Sequence, residues 1–467
     1  MRRIAVLGGL SVCLFLNGPL NAVAVVSDEE FEAMRKRLGT VEKELSDLKK
    51  HEGEESAVKV KKEGQKELGF GSAGSGKLIY AKPFVSAPKT TVGGYMDLHF
   101  RTFSSPASTG PGQPGTGVGS SSFDQQRFVP FFYSDITDRL KVAAELEIEH
   151  GIRSKSAQGS SGGIEVSLEF AHVDYLIKEP LNFRAGIILL PVGKFNLLHD
   201  SPLNDLSDRP LVATAIIPST LSETGAGFYG TFYPSRLSKL DYELYVTQGF
   251  QGYDTTGAPV IGASSGLRNA RQRVASTADD GLDNNNGKAV VGRLAFSPML
   301  GVEIGGSGYF GSYDPRSKRP LSLWAVDWTF QRGPFELLGE AAWAYVRDND
   351  LNLDGSFAID PDTGVVRPRR MDGFYVQGNY HFMPQFLRRL GPAYFTDAST
   401  FTAVVRWDQV NTNSELSSTS RERLTFGLNF RPVEDTVFKV DYQFNYEDGR
   451  NNRIRNDGLV LSVATYF

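Results

Sequence analysis

The chain closes on the stretch Leu459-Val460-Leu461-Ser462-Val463-Ala464-Thr465-Tyr466-Phe467, which alternates apolar residues with small or polar ones. Successive side chains of an extended strand point to opposite faces, so Leu459, Leu461 and Val463 share one face and Ser462 and Ala464 lie on the other. One apolar face of this length is what a strand of a membrane-spanning β-barrel requires. Taken alone, the stretch also fits an amphipathic strand at the end of a soluble sandwich.

The same two-residue alternation recurs from Thr91 to the end of the chain, interrupted by clusters of turn residues. Between residues 140 and 148, for example, five aliphatic side chains alternate with lysine and glutamate. Five apolar positions on one face are about the reach of a tilted strand that crosses a membrane. The opposite face carries several charges, as a water-filled interior permits. We therefore predict an all-β protein with a transmembrane β-barrel.

Counting these segments predicts sixteen antiparallel strands, an even number that places both termini of the chain on the periplasmic side. Short periplasmic turns should alternate with long external loops, and the longer connection 383–393 is the exception. The second strand is the least regular, because Pro130 interrupts it. The predicted strands are 91–103, 123–134, 139–150, 163–177, 182–191, 225–233, 239–251, 288–297, 302–311, 319–331, 335–347, 371–383, 399–411, 421–431, 436–447 and 457–467.

Residues 1–24 have the features of a secretory signal peptide. A basic start precedes an apolar run over 4–16, and Ala22-Val23-Ala24 offers a cleavage site. Cys13 also suggests a lipoprotein, but the apolar run continues past it. Because Cys13 is the single cysteine, cleavage after Ala24 leaves no disulfide or thiolate site. The formal net charge of −4 becomes −6 when Arg2 and Arg3 are removed, a mild imbalance that argues against a nucleic-acid partner.

The mature chain divides into three segments. Residues 25–50 contain an apolar heptad seam, which predicts a short periplasmic coiled-coil helix; the alternative is a single helix lying on the barrel or on peptidoglycan. Residues 51–89 are rich in Lys, Glu, Gly and Ser and predict a flexible linker, and residues 90–467 form the barrel. The seam consists of Phe31, Met34, Leu38, Val41, Leu45 and Leu48.

Several segments carry a family resemblance. They are Ser134-Asp135-Ile136-Thr137-Asp138-Arg139-Leu140-Lys141, Phe183-Arg184-Ala185-Gly186 with Leu190-Pro191-Val192-Gly193, and Leu424-Thr425-Phe426-Gly427-Leu428-Asn429-Phe430-Arg431-Pro432 with Asp441-Tyr442-Gln443. In these segments the chain resembles the phosphate-selective porin O/P family. The resemblance implies a homotrimeric outer-membrane channel in contact with lipid and lipopolysaccharide. Phe467 resembles the terminal residue that the barrel-insertion machinery reads.

The longest early loop, 192–225, follows the fifth predicted strand. In trimeric porins, which the chain resembles, the loop at this place folds inward and narrows the pore, where fixed charges sort ions strongly. The alternative is an ordinary solvated loop. As a constriction, the loop should turn selectivity towards anions when its three aspartates are removed together. Its candidate constriction residues are Lys194, Asp200, Asn204, Asp205, Asp208 and Arg209.

The predicted lumen carries both signs of charge. Acids are at least as numerous as bases, so the phosphate selectivity of the family is not supported by these residues. The predicted basic residues are Arg101, Lys141, Arg184, Arg293, Arg406, Arg423, Arg431 and Lys439. The predicted acidic residues are Asp97, Glu145, Glu147, Glu149, Glu165, Glu169, Asp327, Glu336, Glu340, Asp408 and Asp441.

The sequence predicts no catalytic residue, cofactor or metal. No nucleophile–base motif can be named, the six histidines show no paired metal spacing, and residues 279–287 lack the order of an EF-hand loop. We expect a porin for passive diffusion of small hydrophilic solutes. The alternative is a scaffold barrel that sheathes a periplasmic or electron-transfer partner or tethers peptidoglycan; an outer-membrane hydrolase has no supporting residues.

Overall fold

The computed structural model describes residues 89–103, 121–150, 165–254, 256–263, 265–271, 286–360, 364–416, 419–447 and 456–467. The predicted signal peptide, coiled-coil helix and nearly all of the linker lie outside these residues, as do residues 279–285 of the acidic loop. Within the described residues, no helix is long and apolar enough to cross a membrane.

Sixteen antiparallel strands form one closed barrel, which confirms the predicted all-β barrel and its strand number. Each strand pairs with its neighbours in sequence, and β1 closes the barrel by pairing with β16 through Leu98 opposite Val463. The strands are β1 Lys89–Phe103, β2 Ser122–Asp135, β3 Leu140–Glu149, β4 Glu165–Lys178, β5 Leu181–Leu189, β6 Ser222–Phe232, β7 Lys239–Thr247, β8 Ala289–Met299, β9 Val302–Ser312, β10 Pro320–Arg332, β11 Phe335–Val346, β12 Arg370–Phe382, β13 Thr400–Asn411, β14 Ser420–Val433, β15 Thr436–Glu447 and β16 Gly458–Tyr466.

The two ends of the barrel differ. The turn end carries the short connections, the start of β1 and the end of β16. The loop end carries the long connections, among them 248–288 and 347–369. Among the described residues, three short α-helices and one 3-10 helix, Arg268–Ala270, lie between strands; the α-helices are α1 Lys194–Leu197, α2 Val212–Ala215 and α3 Gln385–Leu390. The last of these accounts for the long connection at the turn end.

Two irregularities explain where the alternation in the sequence fails. The first is in β2: Asp97 and Leu98 of β1 pair with Arg127 and Gln125, so Gln126 is an extra residue in β2. Pro130 does not interrupt the strand and pairs with Gly94 of β1. The predicted strand 239–251 ends instead at Thr247. Gly249 has a φ of 99°, a conformation that ends an extended strand.

Candidate functional site: the barrel interior

The connection 190–221, here called L3, leaves β5 at the loop end and folds into the barrel. The main chain of Phe195 donates to Glu340 Oε2 of β11 over 3.0 Å. The main chain of Leu211 donates to Asp408 Oδ1 of β13 over 3.1 Å, and Thr220 Oγ1 donates to Glu169 Oε1 of β4 over 2.7 Å. Contacts with walls on several sides mean that L3 crosses the interior, as expected for an inward-folded loop.

Asp208 of L3 meets the basic side of the wall. Arg101 Nη1 lies 2.7 Å from Asp208 Oδ1, and Arg423 Nη1 lies 3.7 Å from Oδ2. Arg406 Nη2 donates to the main-chain oxygen of Asp208 over 3.0 Å. Burial by itself raises the pKa of Asp208, but the attraction of the Arg101 and Arg423 guanidinium groups outweighs burial. The pKa of Asp208 therefore lies below its usual range. The carboxylate therefore stays charged and offsets the arginines.

Asp205, three residues before Asp208 in L3, makes a second set of contacts. Its carboxylate accepts from Asn379 Nδ2 over 2.8 Å, and Arg431 Nη2 lies 3.4 Å from its Oδ1. Asn429 Nδ2 donates to its main-chain oxygen over 2.7 Å, and Lys439 Nζ donates to the main-chain oxygen of Ser201 over 2.7 Å. L3 thus gathers five of the eight predicted basic residues.

The remaining predicted residues have partners elsewhere. Asn204 donates to main-chain oxygens within L3. The side chain of Glu165 lies outside the described residues. The other pairs are Lys141 with Asp135 at 2.7 Å, Arg184 with Asp174 at 2.7 Å, Lys194 with Glu303 at 3.0 Å, Arg293 with Asp327 at 2.8 Å, Arg127 with Glu147 at 3.1 Å and with Glu149 at 3.0 Å, Arg209 with Glu147 at 3.9 Å, and His381 with Glu336 at 3.6 Å.

One side of the interior is apolar, unlike the charged lumen that the sequence predicts. Side chains of L3 and of the loop after β7 pack there against the inner faces of β7 to β13, towards the loop end. Burying each large aliphatic or aromatic side chain contributes about 1.5–3 kcal/mol, which holds L3 in place. The cluster includes Val192, Leu211, Val212, Ile216, Ile217, Leu221, Phe250, Tyr253, Ile261, Leu267, Val291, Tyr309, Leu323, Ala342, Met371, Tyr375 and Val410.

A cavity of about 520 Å³ lies between L3 and the wall on the other side, near the turn end. Its walls come from β2 to β5 and β7 and carry both signs of charge. Leu189 and Leu197 contribute the edge that belongs to β5 and L3. The charged and polar lining residues are Tyr133, Ser134, Asp135, Lys141, His172, Asp174, Arg184 and Glu243.

Several interior residues were not predicted from the sequence. Arg127 lies in the irregular strand β2, where the extra residue obscures the alternation that would have placed it inside. His199 stands beside the predicted Asp200, but its partner Glu169 belongs to β4, and only the fold brings them to 3.0 Å. Asp174 follows the extra residue of β4, Glu169, which reverses the alternation, so its inward position could not be read from the sequence. Glu243 does continue the alternation of β7, so its position was readable as inward.

The fold and its interior define a class: closed sixteen-stranded β-barrels with a long loop folded inward. No family model matches the chain. An "Uncharacterized protein" of Aquifex aeolicus (strain VF5) is 28% identical over 397 residues, which cover 83% of this chain and 81% of that one.

Among solved structures, the barrel is similar to the outer membrane channel DcaP of Acinetobacter baumannii, with 11% identity, 81% of this chain and 97% of that chain covered, and a TM-score of 0.47. It is also similar to the anion-selective porin from Comamonas acidovorans, with 11% identity and a TM-score of 0.48; the match covers 81% of this chain and 100% of that chain. Salmonella typhi OmpF in complex with daunomycin gives 12% identity, 82% and 99% covered, and a TM-score of 0.48.

Proposed function

We propose that the chain is an outer-membrane porin that passes small hydrophilic solutes and ions by passive diffusion and works as a homotrimer. The observation that carries the proposal is a closed barrel whose outer face exposes apolar side chains. Leu244, Leu294 and Val440 are 53%, 59% and 49% exposed, although they lie in the middle of their strands. Such a surface is stable against lipid and unstable in water.

Aromatic side chains near the turn end support the same location. Phe335 contacts Tyr380, with ring centroids 4.9 Å apart, and Phe401 contacts Phe430 at 4.7 Å. Phe382 links the two pairs, with centroids 5.6 Å from Tyr380 and 5.8 Å from Phe401. A row of aromatic rings across β11 to β14 is typical of the girdle that a membrane barrel places at the edge of the bilayer. The N-terminal segment would then lie in the periplasm.

The cavity beside L3 is the proposed part of the permeation route. Its lining combines Lys141 and Arg184 with Asp174 and Glu243, so it suits hydrated polar solutes of either sign. Selectivity for phosphate is not part of the proposal, because the wall arginines near L3 already contact Asp205 and Asp208.

Single-channel recording in planar bilayers tests the route directly. The only cysteine, Cys13, lies in the predicted signal peptide, so the mature protein reacts only at an introduced thiol. We expect a charged methanethiosulfonate reagent to lower the conductance of His172→Cys, whose side chain lines the cavity. The control Leu244→Cys, on the outer face, should keep its conductance. A protein that inserts without ohmic steps would refute the channel.

A scaffold barrel with little channel activity is the second candidate. It is favoured by the extent to which L3 and the apolar cluster fill the interior. In that case the same recordings would show negligible conductance, and purification from the native membrane would yield a second protein in fixed stoichiometry. Conductance without such a protein decides for the porin.

A further inference from the structure

The interior holds a cluster of carboxylates and one imidazole that the channel does not explain. It consists of Glu145 of β3, Glu169 of β4, and His199 and Asp200 of L3. Glu145, His199 and Asp200 each offer one ligand atom, and these atoms lie within 4.8 Å of one another. Glu169 Oε2 lies 3.0 Å from His199 Nε2, and Asp200 Oδ1 lies 3.9 Å from the same nitrogen.

The imidazole of His199 is oriented by its other nitrogen. Nδ1 lies 3.0 Å from the main-chain oxygen of Asn196, and a carbonyl oxygen can only accept, so Nδ1 carries the hydrogen. In the neutral ring, Nε2 is then left with a lone pair facing the carboxylates. That arrangement requires a positive charge between them, which a second proton or a metal ion can supply. A carbonyl partner on the far nitrogen is the usual support for a metal-binding histidine.

Two buried polar atoms in this region have no hydrogen-bond partner within the described residues. One is Oε1 of Glu145, a residue that is only 3% exposed. The other is the hydroxyl of Tyr95, whose ring packs edge-on against Tyr466, and Tyr466 donates to Asp200 Oδ2 over 2.8 Å. A buried carboxylate oxygen without a partner is costly, and an ion bound there would satisfy it.

The local fold is shaped to bring these groups together. The register of β3 and β4 shifts between Glu145 and Leu146, which leaves Glu169 as the extra residue of a β-bulge. Bulges commonly redirect a side chain at a functional position. The nearby Arg127 and Arg209 form ion pairs with neighbouring carboxylates: Arg127 lies 3.1 Å from Glu147 and 3.0 Å from Glu149, and Arg209 lies 3.9 Å from Glu147.

We propose that Glu145, Glu169, His199 and Asp200 bind one divalent transition-metal ion that fastens L3 to the barrel wall. One imidazole nitrogen with carboxylate oxygens is a donor set suited to Zn²⁺, Mn²⁺ or Co²⁺, whereas Ca²⁺ takes oxygen ligands only. With metal–ligand bonds of about 2.0–2.2 Å, donors on one ion lie about 3–3.5 Å apart. The His199–Glu169 distance already fits, and the longer distances must shorten by about 1 Å.

The test is metal binding by the untagged protein after treatment with a chelator. Zn²⁺ alone, and Co²⁺ as a spectroscopic probe, should each bind at about one ion per chain and raise the melting temperature. Glu145→Gln and His199→Gln should lose affinity by more than the roughly 10–100-fold that removal of a supporting residue costs. His199→Gln should also remove the nitrogen-dependent part of the Co²⁺ absorption.

The matched control is His381→Gln. His381 Nε2 also faces an interior carboxylate, Glu336, at 3.6 Å, but lies outside the cluster. This variant should bind like the wild type. Barrel folding of every variant is checked by heat-modifiable migration on gels. Wild-type protein that binds no ion, or equal binding by all three variants, would overturn the proposal.

Discussion

Asp208 is the residue in L3 on which the charge of the interior depends most. Its carboxylate lies against Arg101 and Arg423, and its main chain accepts from Arg406. Removing the negative charge here therefore leaves the guanidinium groups of Arg101 and Arg423 without their shared carboxylate, whereas Arg406 keeps its bond to the main chain. Asp200, by contrast, accepts from Tyr466, and Asp205 faces one arginine and two amides.

We predict that Asp208→Asn shifts ion selectivity towards anions. A unit charge a few ångströms from a hydrated ion contributes about 1 kcal/mol, which favours a cation and disfavours an anion, so the cation-to-anion permeability ratio should fall by up to about 30-fold at low salt. The effect should shrink in 1 M salt, where the screening length is about 3 Å. The measurement is the reversal potential in a salt gradient. Asp354→Asn, which removes the same charge from an exposed position in the loop between β11 and β12, is the control and should change little.

The wild type and Asp208→Asn should differ in reversal potential, and the pH dependence of that difference follows from the lowered pKa of Asp208. A carboxyl whose pKa is depressed in the folded protein stabilises it above the unfolded value, about 3.9, and loses that contribution as pH falls towards the folded value. The difference in reversal potential between wild type and Asp208→Asn should therefore stay constant from about pH 7 to pH 4.5. A difference that vanishes near pH 5 would show that Asp208 lacks its arginine partners.

At the residue scale, the sequence places charges on the inner face but does not pair them. Alternation in β13 and β14 predicts Arg406 and Arg423 as inward, because each strand has a fixed period of two. Their shared partner Asp208 comes from L3, whose course depends on contacts more than 200 positions later in the chain. No local pattern encodes such contacts.

Gly193 controls the entry of L3 into the interior. It has a φ of 69°, and a Cβ built on it would lie 2.5 Å from Glu340 Oε2, the atom that accepts from Phe195. A side chain here therefore meets both backbone strain and the carboxylate that fixes the start of α1.

We predict that Gly193→Ala loosens L3 from β11. The left-handed backbone costs about 1–2 kcal/mol for a residue with a Cβ, and displacement of Glu340 adds to it. We expect larger or noisier single-channel conductance and faster proteolysis within L3.

The matched control for this prediction is Gly333→Ala. Gly333 has a φ of 59° in the turn between β10 and β11, but its added Cβ meets nothing within 4 Å. It should show the backbone cost in stability and unchanged conductance. Equal conductance changes in the two variants would mean that the contact with Glu340 does not position L3.

At the scale of elements, strands are predictable and loops are not. Most predicted strand limits lie close to those in the structure, because outward-facing and inward-facing residues must alternate along each strand of a barrel. The inward fold of L3 was expected only from a resemblance. The apolar cluster that secures it joins L3 residues to strands β7 to β13, and in the sequence those apolar residues look like ordinary loop and strand positions.

At the scale of the whole molecule, the barrel is complete without any segment before β1. β1 and β16 pair from Tyr95 opposite Tyr466 to Phe103 opposite Gly458, which leaves no open edge. Phe467 continues this seam: its main chain exchanges hydrogen bonds with Gly94, and its ring stacks on Phe128 with centroids 5.6 Å apart. Closure of the barrel therefore does not depend on the predicted N-terminal helix.

The predicted coiled coil should act on assembly alone. Replacing Leu38 and Leu45 with Asp places like charges in the heptad seam, which a short coiled coil cannot tolerate. We expect the double variant to insert and conduct, since its strands still close on themselves, while its oligomer dissociates at a lower temperature on semi-native gels. Lys36→Asp with Lys43→Asp, off the seam, is the control and should dissociate like the wild type. Equal dissociation temperatures for both double variants would show that the predicted helix does not hold the proposed oligomer together.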